Sequence, residues 1–271
     1  MTGAGHLVVC PTPIGNLADV TLRVLSALRE ADVVACEDTR RTRVLLDKYG
    51  VSARTVSYHE HNEAARSAEL VGRMQAGETV ALVSDAGMPL VNDPGYVLVG
   101  ACVAAGIGVE VLPGPSAALT ALVASGLPAT TWRFAGFLPR KRGELEALFR
   151  SAAETLVAFE SPRRLSASLG ALAAVDGARP VAVCRELTKL HEEIVRGTAR
   201  ELAARYASGE PRGEIVVVIG AAEDEAADVA PALEALKRLV DAGAKARPAA
   251  GVVADLTGVS ANVLYKALTE R

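Results

Sequence analysis

Short apolar runs of four or five residues, rich in β-branched side chains, recur along the chain and alternate with stretches in which Ala and Leu return at helical spacing. The runs at 7–10, 33–36, 55–58, 80–83 and 109–112 predict five strands with helices between them, the alternation of an α/β domain with a mostly parallel sheet. A second series at 133–136, 156–159, 181–185, 193–197 and 215–219 predicts another sheet. Its last members lie close together in sequence, so antiparallel pairing and a mixed sheet are expected. Gly126 and Pro128 stop the helical stretch 116–125, and the boundary between the two units is expected near Pro115. The expected division is an N-terminal α/β domain over 1–115, a C-terminal α/β domain over 116–222, and a linker with a small helical region over 223–271. In that last part the acidic AAEDEAADVAP, 221–231, reads as a linker or the approach to a capped helix. Two helices about a turn at 257–260 then have the shape of a helix-turn-helix, which serves simple packing as well as nucleic-acid contact.

Three of the predicted strands run into loops of one kind. DAGMPLVNDPGY, 85–96, follows VALVS with an acidic residue, two glycines and two prolines; PTPIGN, 11–16, and PGPSA, 113–117, follow the first and fifth strands. Gly87 lets a backbone approach a ligand closely, and Pro89 and Pro94 remove donors and fix dihedrals. Any one such loop is also an ordinary strand-to-helix connection. Three together at strand carboxyl ends point to one shared crevice.

At 271 residues and 50% hydrophobic, the chain can build two modest cores. Cys10, Cys36, Cys102 and Cys184 are widely separated, form no CxxC pair and sit in apolar surroundings, so buried free thiols in a reducing, cytosolic compartment are expected. No apolar stretch is long enough to span a bilayer, and the first residues lack the basic and apolar regions of a signal peptide. The net charge of -3 argues against a polyanionic partner taken as an average, but positive charge is concentrated in EDTRRTR, 37–43, and PRKRG, 139–143. Each cluster suits either an anion site or a solvated helix start.

YHEHNE, 58–63, sets two histidines beside two carboxylates at a strand end. His59 and His61 fall on opposite faces if the strand continues, and spacing supplies no third ligand, so a metal is not expected. A general base, a phosphate contact and a helix start at Asn62 all remain compatible with the segment. In FESPRRL, 159–165, Ser161 can cap a helix begun by Pro162, which leaves Phe159 and Glu160 at a strand end facing any cleft between the domains. CRELTKLHEE, 184–193, brings Arg185, Glu186, Thr188 and Lys189 straight out of an apolar strand, as either site chemistry or a surface turn. A Walker phosphate loop, a GxGxxG turn after the first strand and a GxSxG elbow are all missing.

Taken in order, LVVCPTPIGNLADVTLR, EDTRRTRVLL, HEHNE, LVSDAGMPLVNDPG, LPGPSAALTAL, FAGFLPRK, FESPRRL and RELTKLHEEI closely resemble the ribosomal RNA small subunit methyltransferase I family, in the tetrapyrrole-methylase-like (class III) group. The resemblance covers roughly 7–220 with the motifs in the family's order and spacing. It implies a two-domain α/β fold with S-adenosylmethionine in the cleft between the domains, a homodimer, and 2'-O-methylation of a cytidine ribose in 16S ribosomal RNA near the decoding site, with the small ribosomal subunit as the setting. Carried over residue by residue, it implies a cofactor site from Pro11 and Ile14, from Ser84, Asp85, Ala86, Gly87 and Pro89, and from Pro115, Ser116 and Ala117. The second domain would add Phe159 and Glu160, Arg185 to Leu187, and Gly213 with Glu214.

Such a transfer needs no metal, but it needs the hydroxyl aligned and relieved of its proton. Glu186, Asp85 and His59 are the candidate bases, with Lys189 or Arg40 holding a phosphate or lowering a neighbouring pKa. Arg40, Arg41, Lys141 and Arg142 are expected to border the face where RNA enters. A class III enzyme acting on a tetrapyrrole or a protein would share the cofactor loops without requiring EDTRRTR, HEHNE and PRKR. A non-catalytic cofactor-binding module would fit a broken acceptor side, whereas Glu186, Lys189 and His59 are all present.

Overall fold

The structure, a computed structural model, describes residues 5–222 and 229–269. The first half alternates strand and helix: β1 (His6–Cys10), α1 (Leu22–Glu30), β2 (Val33–Cys36), α2 (Thr39–Lys48), β3 (Thr55–Ser57), α3 (Glu63–Gln75), β4 (Val80–Val83), α4 (Tyr96–Ala104) and β5 (Gly108–Val111). The strands form one sheet in the order β3-β2-β4-β1-β5, parallel throughout. Its strands are near-continuous apolar runs because helices cover both faces. Val8, Cys10, Val34, Cys36, Ala81 and Val83 pack against α1 and α2, while Leu7, Val9, Val33, Ala35, Val80 and Leu82 pack against α3 and α4. The two-residue period of a strand makes that division.

The chain then forms α5 (Ala117–Ser125), β6 (Trp132–Phe137), α6 (Arg142–Ser151), β7 (Thr155–Glu160), α7 (Pro162–Val175), β8 (Pro180–Arg185), β9 (Glu193–Thr198), α8 (Ala199–Arg205) and β10 (Ile215–Ile219). The second sheet runs β6-β7-β10-β8-β9, with β6 and β7 parallel and the other neighbours antiparallel, so the expected mixed sheet forms. Its last strand lies at its centre. All five residues of β10 are buried, and the sheet is incomplete until the chain reaches Ile219.

One face of this sheet, including Leu156, Val183 and Val217, packs on α6, α7 and α8. The other, with Val157, Cys184 and Val216, packs on Ala118, Ala121 and Leu122 of α5 and on Ile14 from the loop after β1. A first-domain loop residue is therefore part of the second domain's core. All four cysteines are buried and free, with burial pushing Cys10 up to about 12 and Cys184 up to about 11. Among the described residues no helix is long and apolar enough to cross a membrane.

Of the linker expected over 221–231, residues 223–228 lie outside the described residues, and residues 229–231 already belong to α9 (Val229–Asp241). With α10 (Ala246–Thr257) and α11 (Ala261–Thr269), α9 closes a small core on Leu236, Ala250, Val253 and Leu264. The turn between α10 and α11 is made by Gly258 in the left-handed region, φ 75°.

Arg179, before β8, has a buried side chain that ties this domain together. Its Nε donates to Gly220 O at 2.8 Å, Nη1 to Phe149 O at 2.6 Å and Nη2 to Ala152 O at 2.7 Å. Arg179→Ala would strand three carbonyls and a cavity in the core, and urea denaturation is expected to register a loss of about 3 kcal/mol.

Candidate active site

Parallel strands deliver their carboxyl ends to one edge, and the loops after β1, β4 and β5 meet there. Thr12 and Gly87 exchange both backbone hydrogen bonds, each at 2.9 Å, and Thr12 Oγ1 donates to Ser84 O at 3.0 Å. Ser84 Oγ, buried, donates to Gly87 O at 3.1 Å. Gly87 holds φ +80°, the dihedral that calls for glycine, and its Cβ position lies 3.4 Å from Ile14 Cγ2, in van der Waals reach. Pro11 lies against Gly114, and Pro115 O is within 3.7 Å of the same Cβ position on Gly87, which joins the third loop to the other two. Ser116 then caps α5, its Oγ accepting from Leu119 N at 3.4 Å.

The second domain supplies the opposite wall. Pro162 opens α7 as expected, but Ser161 makes no side-chain cap. The Glu160 carboxylate takes over that work: it accepts from Ser161 N at 2.7 Å and from the Ser168 hydroxyl, with Arg164 Nη2 at 3.3 Å. Phe159 is left to face the cleft, edge-on to Phe134 and Phe137. After β8, Glu186 and Thr188 both hold positive φ, 52° and 66°. Such turns cost energy in non-glycine residues and persist where surroundings dictate them. Glu186 N donates to Glu214 O, Glu214 N returns a bond to Glu186 Oε1 at 2.9 Å, and Lys189 Nζ reaches Glu186 Oε1 at 2.8 Å and Glu214 Oε2 at 3.0 Å. Asn16 N donates to Thr188 Oγ1 at 3.0 Å and ties the first loop to this turn.

Between the walls lies a cavity of about 390 Å³, a size suited to a small-molecule ligand. Of the residues expected around a cofactor, Ile14, Ala86, Gly87, Ser116 and Ala117 line it from the first set of loops, and Phe159, Glu160, Leu187, Gly213 and Glu214 from the second domain. Pro11, Ser84, Asp85, Pro89, Pro115 and Arg185 do not line it. Pro11, Ser84 and Pro115 shape the loops from behind, and Arg185 points to Glu193 Oε2 at 3.1 Å and Arg212 O at 3.2 Å.

The four candidate catalytic side chains also stand behind the lining. Bonds from Lys189 and from the Glu214 backbone hold the Glu186 carboxyl below its ordinary range. For Lys189 burial opposes the charge, and its bonds to Glu186 and Glu214 outweigh it. Asp85 Oδ1 accepts from Asp38 N at 3.0 Å, with Arg41 Nη1 3.4 Å from its other oxygen. His59 N donates to Asn62 Oδ1 at 2.9 Å, its Nε2 lies 3.2 Å from Asn62 Nδ2, and its buried Nδ1 has no partner. Asn62 thus stands at the start of α3 but turns its side chain back to the loop. Among the described residues no group of three or more His, Cys, Asp or Glu is placed to hold a metal ion.

The basic clusters both open helices. Arg40 forks onto Asp38, the cap of α2, and Lys141 and Arg142 pair with Glu144 and Glu146 on α6. These cations are exposed, so their pairs are weak and exchangeable. The cavity also takes in residues passed over in the sequence, among them Met88, Val91, Asn92, Asp93 and Phe137. Asn92 and Asp93 sit in the second half of the 85–96 loop, and a DPG sequence after a strand was the available signal. Asp93 is pushed up to about 6, by burial first and then by the Glu37 and Asp85 carboxylates.

Residues 6–203 match the family model for Tetrapyrrole (Corrin/Porphyrin) Methylases. A Mesorhizobium japonicum protein named Ribosomal RNA small subunit methyltransferase I is 52% identical over 97% of this chain and 91% of its own length. This chain belongs to that family. A Thermotoga maritima member, 43% identical, is matched over its full length by 81% of this chain. Among solved structures, uroporphyrin-III-C-methyltransferase from Thermus thermophilus shares the fold with TM-score 0.57 and 25% identity over 79% of this chain and 94% of its own. Another structure of that enzyme, at 22% identity and TM-score 0.57 over 80% of this chain and 97% of its own, is complexed with S-adenosyl homocysteine.

Proposed function

We propose that this methyltransferase family member moves a methyl group from S-adenosylmethionine to the 2'-hydroxyl of a cytidine near the decoding site of 16S ribosomal RNA, on the small ribosomal subunit. The observation that carries this reading is the 52% identity, over 97% of this chain, to a ribosomal RNA small subunit methyltransferase I. The four buried free thiols suit a reducing, cytoplasmic setting.

The cavity fits the cofactor's chemistry. Ile14, Phe159 and Leu187 offer apolar surface, the backbone of Ala86 and Gly87 is open to close approach, and Ser116 and Glu214 add polar contacts. When bound, S-adenosylmethionine supplies a methyl carbon activated by positive sulfur. The protein's share is to orient the hydroxyl, exclude water and receive a proton. Asp85, Glu186 and Lys189 hold the loops that form the walls, and His59 supports the loop before α3. Pro11, Ser84, Pro89, Pro115 and Arg185 act on the cofactor through the segments they brace.

Arg40 and Arg41 on α2, with Lys141 and Arg142 at the start of α6, receive the RNA backbone, whose phosphates displace the weak acidic partners these side chains hold in the free protein. A second copy of the chain covers the apolar side chains left exposed on α1, β5 and α5. Leu22 and Val123 are 83% and 80% exposed, and β5 is an edge strand that would otherwise stand open.

Labelled S-adenosylmethionine incubated with this protein and with small subunits from cells lacking it should place label on one decoding-site cytidine ribose, mapped by nuclease digestion; absence of label alongside tight cofactor binding would reject the acceptor. Reversing Arg40, Arg41, Lys141 and Arg142 to Glu should weaken subunit binding at least about tenfold at low salt and flatten its salt dependence, whereas unchanged filter-binding curves would remove them from the interface. Light scattering should report a dimer that Val123→Glu converts to monomer, and a wild-type monomer would contradict the proposed pairing.

A further inference from the structure

Three acidic residues line the cavity: Asp93, Glu160 and Glu214. Glu160 is committed to Ser161 N, Ser168 and Arg164, and Glu214 to Lys189. Asp93 differs, because its burial and the negative charges of Glu37 and Asp85 outweigh what the Ser84 hydroxyl offers its ionised form.

Its position is held firmly. Leu90 and Asn92 both adopt left-handed backbone, φ 71° and 66°, which is costly for a leucine above all. The Leu90 side chain packs where Gly95 has no Cβ, 2.7 Å from the place a Cβ would occupy, and the Asn92 amide lies against Gly136 of β6 in the same way, at 3.0 Å. The loop after β4 thus closes on itself between Leu90 and Gly95, around Asp93, and Asn92 beside Asp93 meets the second domain.

We propose that Asp93 is the catalytic residue that takes the proton from the acceptor hydroxyl during methyl transfer. This role rests on the methyltransferase reading above. The hydroxyl oxygen forms its bond to the methyl carbon as the carbon–sulfur bond breaks and its electron pair returns to sulfur. The hydroxyl proton passes to a carboxylate oxygen of Asp93, so the products are a neutral ether, a neutral thioether and a neutral carboxylic acid, which then gives its proton to solvent. A carboxylate that holds protons more tightly than usual is the stronger base, and one that titrates at about 6 is still mostly ionised at neutral pH.

The groups acting on this titration come from every neighbouring segment. Glu37 and Asp38 follow β2, Ser84 and Asp85 follow β4, Arg41 on α2 pairs with Asp85, and Arg41 and His59 both favour the ionised form of Glu37. Removing the Glu37 charge should therefore lower the Asp93 midpoint.

The folded chain holds the Asp93 proton more tightly than the unfolded chain does. On this residue's account stability is highest at low pH and falls as pH rises from 3.8 to about 6. Asp93→Asn removes that loss, so its Tm at pH 8 should match or exceed that of the wild type.

The test compares wild type, Asp93→Asn and Glu37→Gln in single-turnover methyl transfer to small subunits across pH, with S-adenosylhomocysteine binding by calorimetry and the Asp93 carboxyl followed by carbon-13 NMR. Wild type should show a rate that climbs about tenfold per pH unit on the acid side and levels above an apparent pKa near 6, with an NMR midpoint to match. Asp93→Asn should lose about a hundredfold or more in rate and lose the acid limb, with ligand affinity within about threefold of wild type. Glu37→Gln should move both midpoints to lower pH. An Asp93→Asn rate within about fivefold of wild type, an NMR midpoint near the ordinary value of about 4, or a collapsed Tm at pH 8 would overturn the role of Asp93 alone. Wild type that binds S-adenosylhomocysteine yet methylates no subunit would overturn the acceptor assignment, and the role of Asp93 with it.

Discussion

The reciprocal backbone pair between Thr12 and Gly87 is the interaction on which the cleft depends. β1 and β4 are neighbours in a parallel sheet, so their loops leave the same edge, but two flexible loops leaving one edge do not make a wall. Two hydrogen bonds of 2.9 Å convert them into a short ladder, and the glycine dihedral permits it. Once the ladder exists, Ile14 is held out far enough to enter the core of the second domain, and Asn16 N meets Thr188. The cavity is a consequence of that registration.

Its two walls solve the problem of buried charge in opposite ways. The wall from the second domain pairs Glu186 and Glu214 with Lys189, which costs side-chain freedom but leaves no charge without a partner. The wall from the first domain gathers Glu37, Asp85 and Asp93 near Arg41 and Arg40, both largely exposed. Burial and repulsion raise the proton affinity of Glu37 and Asp93 there, and the cost is accepted where a site profits from it. Surface pairs such as Lys141 with Glu144 belong to neither regime, since water screens them and a phosphate can replace the acid.

Much of the fold was legible because burial on both sides of a parallel sheet demands unbroken apolar runs. All ten strands fall where those runs lie, within a residue or two at each end. The mixed pairing of the second sheet followed from short connections late in the chain. That β10 would insert between β7 and β8 was not legible, since nothing local distinguishes a central strand from another buried one. At the site, the loops of Gly87 and Ser116 and the strand end at Phe159 were visible as motifs. Glu186 drew attention as a carboxylate leaving a strand, but its positive φ folds it back onto Lys189 and the turn before β10, a contact across 28 residues that spacing does not encode. Asp93 stood in full view and was passed over because its environment is made by Glu37 and Asp85, neither of them adjacent to it in sequence.

The sequence by itself determined the strands, the helices, the loop chemistry at strand ends and the family, because these rest on local periodicity and on motifs in order. The tertiary structure decided which polar groups face the cavity and which brace it, which carboxylates are paired and which repel, and that a residue of the first domain completes the core of the second. Those outcomes depend on distance and solvent exposure between segments far apart in the chain. Charge, burial and hydrogen bonding act through space, and only the folded arrangement states who is near whom.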